Sequence, residues 1–435
     1  MKSRTLRNSI LVIIAVVIVA ALAVLFGLFR TSGVAPQAKQ ALSPEQMKAL
    51  IPRGRELALA GDCFGCHSLP QGPMGAGGLA IGTPFGTLYS TNITPDKQYG
   101  IGNYTRADFH RVMRDGIAPG NRNLYPAMPF VFTQLTTPDD IDALYAYNMS
   151  IPAMPVANKA NTGAFVLPVR PFMNFWTLLN FPDRKAARNE QRSAEWNRGA
   201  YLVEGLAHCG ACHSPRNFMM GLEFSRALQG GEVDGVAVPA ITAAALAKHG
   251  FDVPTLSAYL ATGVAPQGTA FDGMYTVTHF STSTMEPEDV KAVATYLLTA
   301  KDGKLVPPSA PPAPLPQVVA PESGTPMAAG RLAYMAFCAG CHGMNGQGLP
   351  NVGPAMKGNA TLAMDDPRTL IKAVLNGIPT QIFKNGERMY AMPPFAHRMN
   401  DAEVAELVTW IRAEWGGQAV PVTAAQVSAQ ETAVK

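Results

Sequence analysis

The chain has 435 residues, a mass of 46.2 kDa and a formal net charge of +4. Its length favours two to four domains, and a low share of charged residues (15%) beside 40 glycines and 36 prolines is typical of small, loop-rich domains. The mild charge, without a lysine and arginine block interleaved with aromatic residues, argues against a nucleic-acid-binding protein.

The amino terminus carries an uninterrupted uncharged run. Three cations at Lys2, Arg4 and Arg7 precede it, and the chain is apolar from Ile10 to Phe29 apart from glycine at position 27. This is about the length that crosses a bilayer as a helix, so we predict a transmembrane helix and stalk within residues 1–42. The cations orient its amino end to the cytoplasm and the rest of the chain outside. A signal peptide cleaved near Thr31-Ser32-Gly33 is the alternative.

The pattern Cys-x-x-Cys-His occurs three times and uses all six cysteines. Two thiols three residues apart can each form a thioether with one porphyrin edge, and the histidine then lies under the iron. A shared zinc site or a thioredoxin-like pair fits poorly, since the copies are more than a hundred residues apart and their flanks are glycine-rich and helical. We therefore predict three covalently attached haem c groups, held by Cys63, Cys66, Cys209, Cys212, Cys338 and Cys341, with His67, His213 and His342 as iron ligands.

Each motif lies in a repeat with the same order: helix, haem motif, loop, methionine, helix. In the first repeat Pro52 is expected to break the helix that leads to the motif, and the glycines between positions 72 and 86 predict an irregular loop. The remaining predicted helices are Asp108 to Asp115, Pro138 to Met149, Ser193 to Ala207, Glu286 to Leu298, Met327 to Phe337 and Asp401 to Trp415.

The repeats predict three domains with segments between them. The predicted domains are 43–152, 193–303 and 326–419; they are joined by a connector, 153–192, and a proline-rich linker, 304–325, and followed by a tail, 420–435. The chain from Gly416 onward is polar and expected to be disordered. The connector contains seven large apolar residues, so we expect it to pack on its own chain or to face a partner.

A methionine thioether in the sixth position makes a haem an electron carrier, whereas an open position permits ligand chemistry. His67 and Met128 are 61 residues apart, as are His213 and Met274, while prolines flank both Met128 and Met392. We predict these three methionines as distal ligands, with the alternatives Met285 for the second haem and Met389 for the third.

Other polar groups have minor predicted roles. The carbonyl of Pro354 is expected to accept a hydrogen bond from the His342 ring, the usual means of fixing such a ligand. The remaining histidines are expected to be surface or core residues, with a slightly stronger case for a role at His208 because it adjoins Cys209: His110, His208, His249, His279 and His397.

The three motifs, the stretch Phe85 to Asp96 and the stretch Leu124 to Pro129 resemble the tri-haem cytochrome c subunits of membrane-bound alcohol and aldehyde dehydrogenases and their gluconate dehydrogenase relatives. The resemblance covers about nine-tenths of the chain. With the helical repeats, it leads us to predict an all-α fold of three tandem cytochrome c domains after an N-terminal transmembrane helix.

The resemblance also implies a non-catalytic electron-transfer role and its partners. Such a subunit takes electrons from a periplasmic catalytic dehydrogenase subunit, of molybdenum or quinoprotein type, beside which a small subunit is a further candidate. It passes them to ubiquinone in the cytoplasmic membrane, with the haem domains in the periplasm. Two other functions stay open: a haem enzyme with an open coordination site, and a freestanding membrane-tethered shuttle to a terminal oxidase.

Overall fold

A computed structural model describes residues 2–25, 27, 36–167, 170–186, 188–233, 235–309 and 324–432. The candidate cleavage site Thr31-Ser32-Gly33, residues 31–35 of the predicted stalk and residues 310–323 of the predicted linker lie outside the described residues. The chain forms two compact units. The first unit comprises Met1–Ala58, Cys66–Ala187 and Asn217–Gly221, and the second comprises Leu59–Gly65, Arg188–Arg216 and Leu222–Lys435.

Helices make up most of the regular structure. The α-helices are Lys2–Leu25, Pro44–Ala60, Cys63–Cys66, Arg106–Asp115, Phe130–Thr133, Pro138–Asn148, Phe172–Asn180, Ala194–Tyr201, Gly210–His213, Ala243–Lys248, Val253–Thr262, Gly273–Phe280, Pro287–Leu297, Pro326–Phe337, Ala339–His342, Arg368–Asn376, Asp401–Gly416 and Ala424–Thr432. Short 3₁₀ segments are Pro36–Lys39, Gly163–Val166, Phe224–Arg226 and Thr282–Thr284, and Leu202–Leu206 is a π turn.

The helices predicted at the ends of the repeats are present to within a few residues, although Pro52 does not break its helix. Pro44–Ala60 is continuous through this proline. Side chains determine several starts, because they satisfy amide groups that have no partner in the first turn. Thr105 and Asp108 form a capping box, and Thr137 accepts a hydrogen bond from the amide of Asp140.

The all-α prediction is wrong, because the chain is 47% helical and 9% strand. In the part of the chain that the structure describes, five antiparallel hairpins pair Ala80–Thr83 with Gly86–Tyr89, Ile117–Ala118 with Arg122–Asn123, Gly231–Val233 with Val236–Val238, Val264–Ala265 with Gly268–Thr269, and Gln381–Ile382 with Arg388–Met389. The first lies in the stretch predicted as an irregular loop. Its tight turn depends on Gly86 at φ 132°, which favours glycine, and on the Thr83 hydroxyl, which donates to the Gly86 carbonyl at 2.7 Å.

The prediction of an N-terminal transmembrane helix is also wrong. Among the described residues, no helix combines the length and apolar character needed to cross a membrane. The helix Lys2–Leu25 begins with the cationic segment, and its apolar part starts at Ile10.

In each repeat the helix before the haem motif crosses the last helix at a glycine. A β-carbon on this glycine would lie 1.9, 2.0 or 2.3 Å from a facing backbone oxygen, in the pairs Gly54–Ala143, Gly199–Ala292 and Gly330–Glu406. Such an approach excludes a larger residue. Ion pairs flank two of the crossings, Arg53–Asp140 at 3.1 Å and Arg198–Asp289 at 2.6 Å.

The predicted domain boundaries stay predictions.

A buried charge cluster in the first unit links two helices. Asp142 accepts hydrogen bonds from Arg106 Nε at 2.6 Å and His110 Nε2 at 2.8 Å, and His110 is fully buried. Burial alone would raise the pKa of Asp142, but the bonds from Arg106 and His110 outweigh it and hold that pKa below the ordinary value of 3.8.

Within the described residues up to 432, the carboxy-terminal segment forms a helix, contrary to the predicted disorder. Its helix Ala424–Thr432 places Val427, which is fully buried, into the same core as Val404 and Val408 of Asp401–Gly416. Burial of Val422 and Val427 stabilises this segment, although few of its other residues are large and apolar.

The apolar connector packs in part on its own chain. Within the helix Phe172–Asn180, Trp176 is buried and its indole N–H donates to the Met219 carbonyl at 2.9 Å. Phe172 and Leu178 on the same helix remain exposed.

Candidate haem-binding sites

Each haem motif forms a single helical turn that follows the first long helix of its repeat. These turns are Cys63–Cys66, Gly210–His213 and Ala339–His342. Helical spacing of three residues places both thiols of a motif on one face. None of the six cysteines forms a disulfide bond; the second thiol of each motif is exposed, and the first is half-buried. This arrangement suits two thioether bonds to one edge of a flat cofactor.

The three motif histidines share one hydrogen-bond pattern. The Nδ1 atom lies 2.6 Å from the Thr91 oxygen in His67, 2.8 Å from the Pro239 oxygen in His213 and 2.8 Å from the Pro354 oxygen in His342. Because a carbonyl can only accept, Nδ1 must carry the proton in each ring. The Nε2 lone pair is then available for a metal, as in other metal-bound histidines whose second nitrogen is fixed by a carbonyl.

The predicted role of the Pro354 carbonyl is confirmed, whereas sequence reasoning missed Thr91 and Pro239. In the first two repeats a hairpin lies between the motif and the accepting carbonyl. Gly86–Tyr89 ends two residues before Thr91, and Val236–Val238 ends directly before Pro239. Thr91 falls inside the family-like stretch Phe85 to Asp96, which was the available signal. The accepting carbonyl follows its histidine by 24 residues in the first repeat and 26 in the second, but by 12 in the third. Without knowledge of the hairpins, the two longer separations could not be related to the shorter one.

Burial shapes the electrostatics of these sites. It lowers the pKa of His67, His213 and His342, since the charged imidazolium is disfavoured in an apolar setting. It also raises the pKa of the Cys209 and Cys338 thiols to about 12. A neutral imidazole is the form that can bind a metal, so the lowered pKa of these three histidines suits a ligand role.

These donor sets fit haem c. Each site offers two thiols on one helical face and one imidazole whose Nε2 lone pair is available, which is the set that covalent haem attachment requires.

The predicted distal methionines occupy three different local structures. Met128 is half-buried in a turn, where its amide donates to the Tyr125 carbonyl at 3.0 Å. Met274 is the second residue of the helix Gly273–Phe280. Met392 is held by two backbone hydrogen bonds to Ile378, each 2.9 Å long. Pairing of these sulfur atoms with the three motif histidines stays a prediction.

The two rival methionines are engaged in apolar packing. Met389, the alternative to Met392, is buried in strand Arg388–Met389, in a cluster with Phe383 and Met274. Met285, the alternative to Met274, packs against the core that contains Val290 and Leu297. Two of the predicted ligands have similar surroundings, since Met274 packs against the cluster of Met389 and Met392 packs against the core that contains Leu370 and Phe395. The choice of Met274 and Met392 over these rivals stays a prediction.

The second and third repeats are joined around Met274. The adjacent residue, Tyr275, packs edge-on against Phe383 with ring centroids 5.5 Å apart. Its hydroxyl lies 3.1 Å from the Ile382 oxygen and accepts from the Ile382 amide at 3.2 Å. The methionine regions of these two repeats therefore share one apolar cluster.

Known proteins resemble a part of this chain and also most of its length. The cytochrome c family model matches residues 327–415. Gluconate 2-dehydrogenase cytochrome c subunit of Pantoea cypripedii is 37% identical over 89% of this chain and 91% of its own length. The cytochrome c subunit of alcohol dehydrogenase (quinone) from Gluconobacter oxydans (strain 621H) is 33% identical over 86% of this chain and 80% of its own.

A nicotinate dehydrogenase subunit of Pseudomonas putida is 39% identical over 84% of this chain. The present chain spans only 30% of the length of that relative.

Proposed function

The chain belongs to the family of cytochrome c subunits of dehydrogenase complexes, and on this premise we propose that it carries electrons through three haem c groups to a membrane quinone. As a member of this family, the chain functions in electron transfer. The proposed donor is a catalytic subunit that oxidises an alcohol or aldehyde, of molybdenum or quinoprotein type, with a small subunit as a further partner. The proposed acceptor is ubiquinone, and the proposed compartment of the haem sites is the periplasm.

One observation carries the number of haems. The same ring arrangement occurs at His67, His213 and His342, with Nδ1 fixed by a carbonyl and Nε2 left for iron. Each histidine follows a pair of thiols on one helical turn. Three independent segments therefore reproduce one complete donor set, which favours three haems over one or two.

In this mechanism the chain positions and insulates the cofactors. Haem iron, when bound, supplies a one-electron couple that needs no change in covalent bonds. The thiols of each motif would hold the porphyrin edge, and the carbonyl at Nδ1 sets the orientation of the imidazole. Met128, Met274 and Met392 would complete the coordination and exclude water from the iron, which suits electron transfer rather than ligand turnover.

The complexes to which the relatives belong support the choice of partners. One is the cytochrome subunit of a gluconate 2-dehydrogenase and another that of a quinone-linked alcohol dehydrogenase. The same roles are proposed here: a separate dehydrogenase subunit reduces the cytochrome, and a quinone oxidises it.

Haem content and ligation test the proposal. Pyridine haemochrome analysis and intact mass should give three covalent haems per chain in the wild type, and two after simultaneous Cys338→Ala and Cys341→Ala substitution. Met274→Ala should remove part of the methionine-to-iron charge-transfer absorption, whereas Met285→Ala should leave it intact. One haem or none would refute the proposal, and carbon monoxide binding to the reduced wild type would point to an open-site haem enzyme.

The direction of electron flow needs a separate test. The tagged full chain should co-purify with a dehydrogenase subunit, and the complex should reduce a ubiquinone analogue when given substrate. A complex that reduces its haems but not the analogue would contradict the proposed acceptor.

A further inference from the structure

The segment before the first haem motif is built into the second unit. Ala60 is buried among Leu202 and Val203, which precede the second motif. The hydroxyl of Ser281 donates to the Ala60 carbonyl at 3.2 Å. The chain leading to Cys63 is thus held by the same core that surrounds the chain leading to Cys209.

His208 makes the most direct link between these two segments. It directly precedes Cys209, and its Nε2 atom lies 3.3 Å from the carbonyl oxygen of Gly61, two residues before Cys63. Burial lowers the pKa of His208, so the ring is neutral at pH 7 and donates through a protonated Nε2.

The backbone around this link is specialised in the same way on both sides. Asp62 and His208, which each precede the first cysteine of a motif, have φ angles of 48° and 38°. Aspartate and histidine enter this left-handed region more readily than most residues. The corresponding residue of the third motif, Phe337, ends a helix and is 46% exposed. A left-handed residue before the first cysteine therefore distinguishes the first two motifs from the third.

We propose that His208 is a positioning residue for electron transfer between the first and second haems. Its imidazole forms a hydrogen bond with the carbonyl of Gly61, which precedes Asp62, and its backbone is bonded directly to Cys209. This inference rests on the proposed function, since both motifs must carry haem. One haem loses a single electron and the other gains it, and no proton or covalent bond changes. The path from Cys63 to Cys209 contains two intervening residues, the His208 side chain and one hydrogen bond.

The test measures electron equilibration between haems in the full chain after flash photoreduction. Haem bands are assigned by the shifts in midpoint potential of Met128→His and Met274→His variants. His208→Asn tolerates the left-handed backbone but is too short to reach Gly61. We expect its equilibration between the first and second haems to be on the order of tenfold slower, the scale seen when outer contacts of metal sites are lost. Midpoint potentials should match the wild type, whereas the melting temperature should fall slightly because the Gly61 carbonyl loses its donor.

Two further variants complete the design. His208→Gln offers an amide donor of similar reach and should restore the rate, which a merely structural role of the ring would not predict. His249→Asn, in the same unit at the end of Ala243–Lys248, is the matched control and should equilibrate at the wild-type rate.

Wild-type equilibration in His208→Asn, or equally slow equilibration in His208→Asn and His208→Gln, would overturn the proposal. Haem content separates this result from failure of the proposed function, since loss of the first or second haem from the wild type would itself refute that function.

Discussion

The helix crossing at Gly199 gives the sharpest test of the packing. In Gly199→Ala, the new β-carbon would lie 2.0 Å from the Ala292 oxygen, 2.6 Å from the Ala292 carbonyl carbon and 2.7 Å from the Tyr296 β-carbon. Ordinary contacts begin near 3.4 Å. Because two of these atoms belong to the backbone of a packed helix, the helices must separate to accommodate the methyl group.

The expected cost follows from two opposing effects. Overpacking a core costs about 1 to 3 kcal/mol, and rigid backbone contacts favour the upper end of that range. Alanine is better than glycine in a helix by about 1 kcal/mol, so the net destabilisation is about 2 kcal/mol. At roughly 2 to 4 °C per kcal/mol for a unit of this size, the melting temperature should fall by about 4 to 8 °C.

The assay is thermal unfolding of the haem-loaded chain at one scan rate. Gly82→Ala is the control, since a β-carbon there meets nothing within 4 Å and the residue lies in the strand Ala80–Thr83, outside the haem motifs. The control should melt at or slightly above the wild-type temperature. If Gly199→Ala melts at the same temperature as Gly82→Ala, the close helix crossing is refuted.

Two further predictions concern buried side chains. Asp142→Asn should destabilise the chain in urea unfolding by about 3 to 5 kcal/mol, because it leaves a buried cation uncompensated. The folded pKa of Asp142 is lowered, so its contribution to the free energy of unfolding is present above pH 3.8 and lost as the pH falls through the folded value. The difference in unfolding free energy between Asp142→Asn and the wild type should therefore narrow in acid. A difference that does not depend on pH would contradict this reasoning. Phe383→Ala should cost about 3 to 5 kcal/mol, whereas Phe280→Ala, at a 43% exposed side chain, should cost far less; equal losses would contradict the assigned burial.

Chemistry that depends on neighbouring residues could be read from the sequence. The thiol pairs and histidines occur within five residues of one another, and the helical turn that presents them is local. The Pro354 carbonyl was also predictable, because only twelve residues separate it from His342. Helix positions followed from apolar periodicity and from caps such as Thr105 and Thr137.

Features that join distant segments were missed or misassigned. The hairpin Ala80–Thr83 with Gly86–Tyr89 was predicted as a loop, because glycine suppresses the strand signal and the pairing supplies the order. The carboxy-terminal helix was predicted as disordered, because its stability comes from burying Val427 in a core formed elsewhere.

The sequence by itself determined which atoms can bind haem, since Cys-x-x-Cys-His carries its donors within one turn. Tertiary structure alone decided how those donors are oriented and connected. Thr91 and Pro239 reach their histidines through hairpins, and the 3.3 Å contact of His208 with Gly61 joins residues 147 positions apart. Such contacts arise from the packing of whole helices and hairpins, and local sequence patterns do not indicate which distant residues will be in contact.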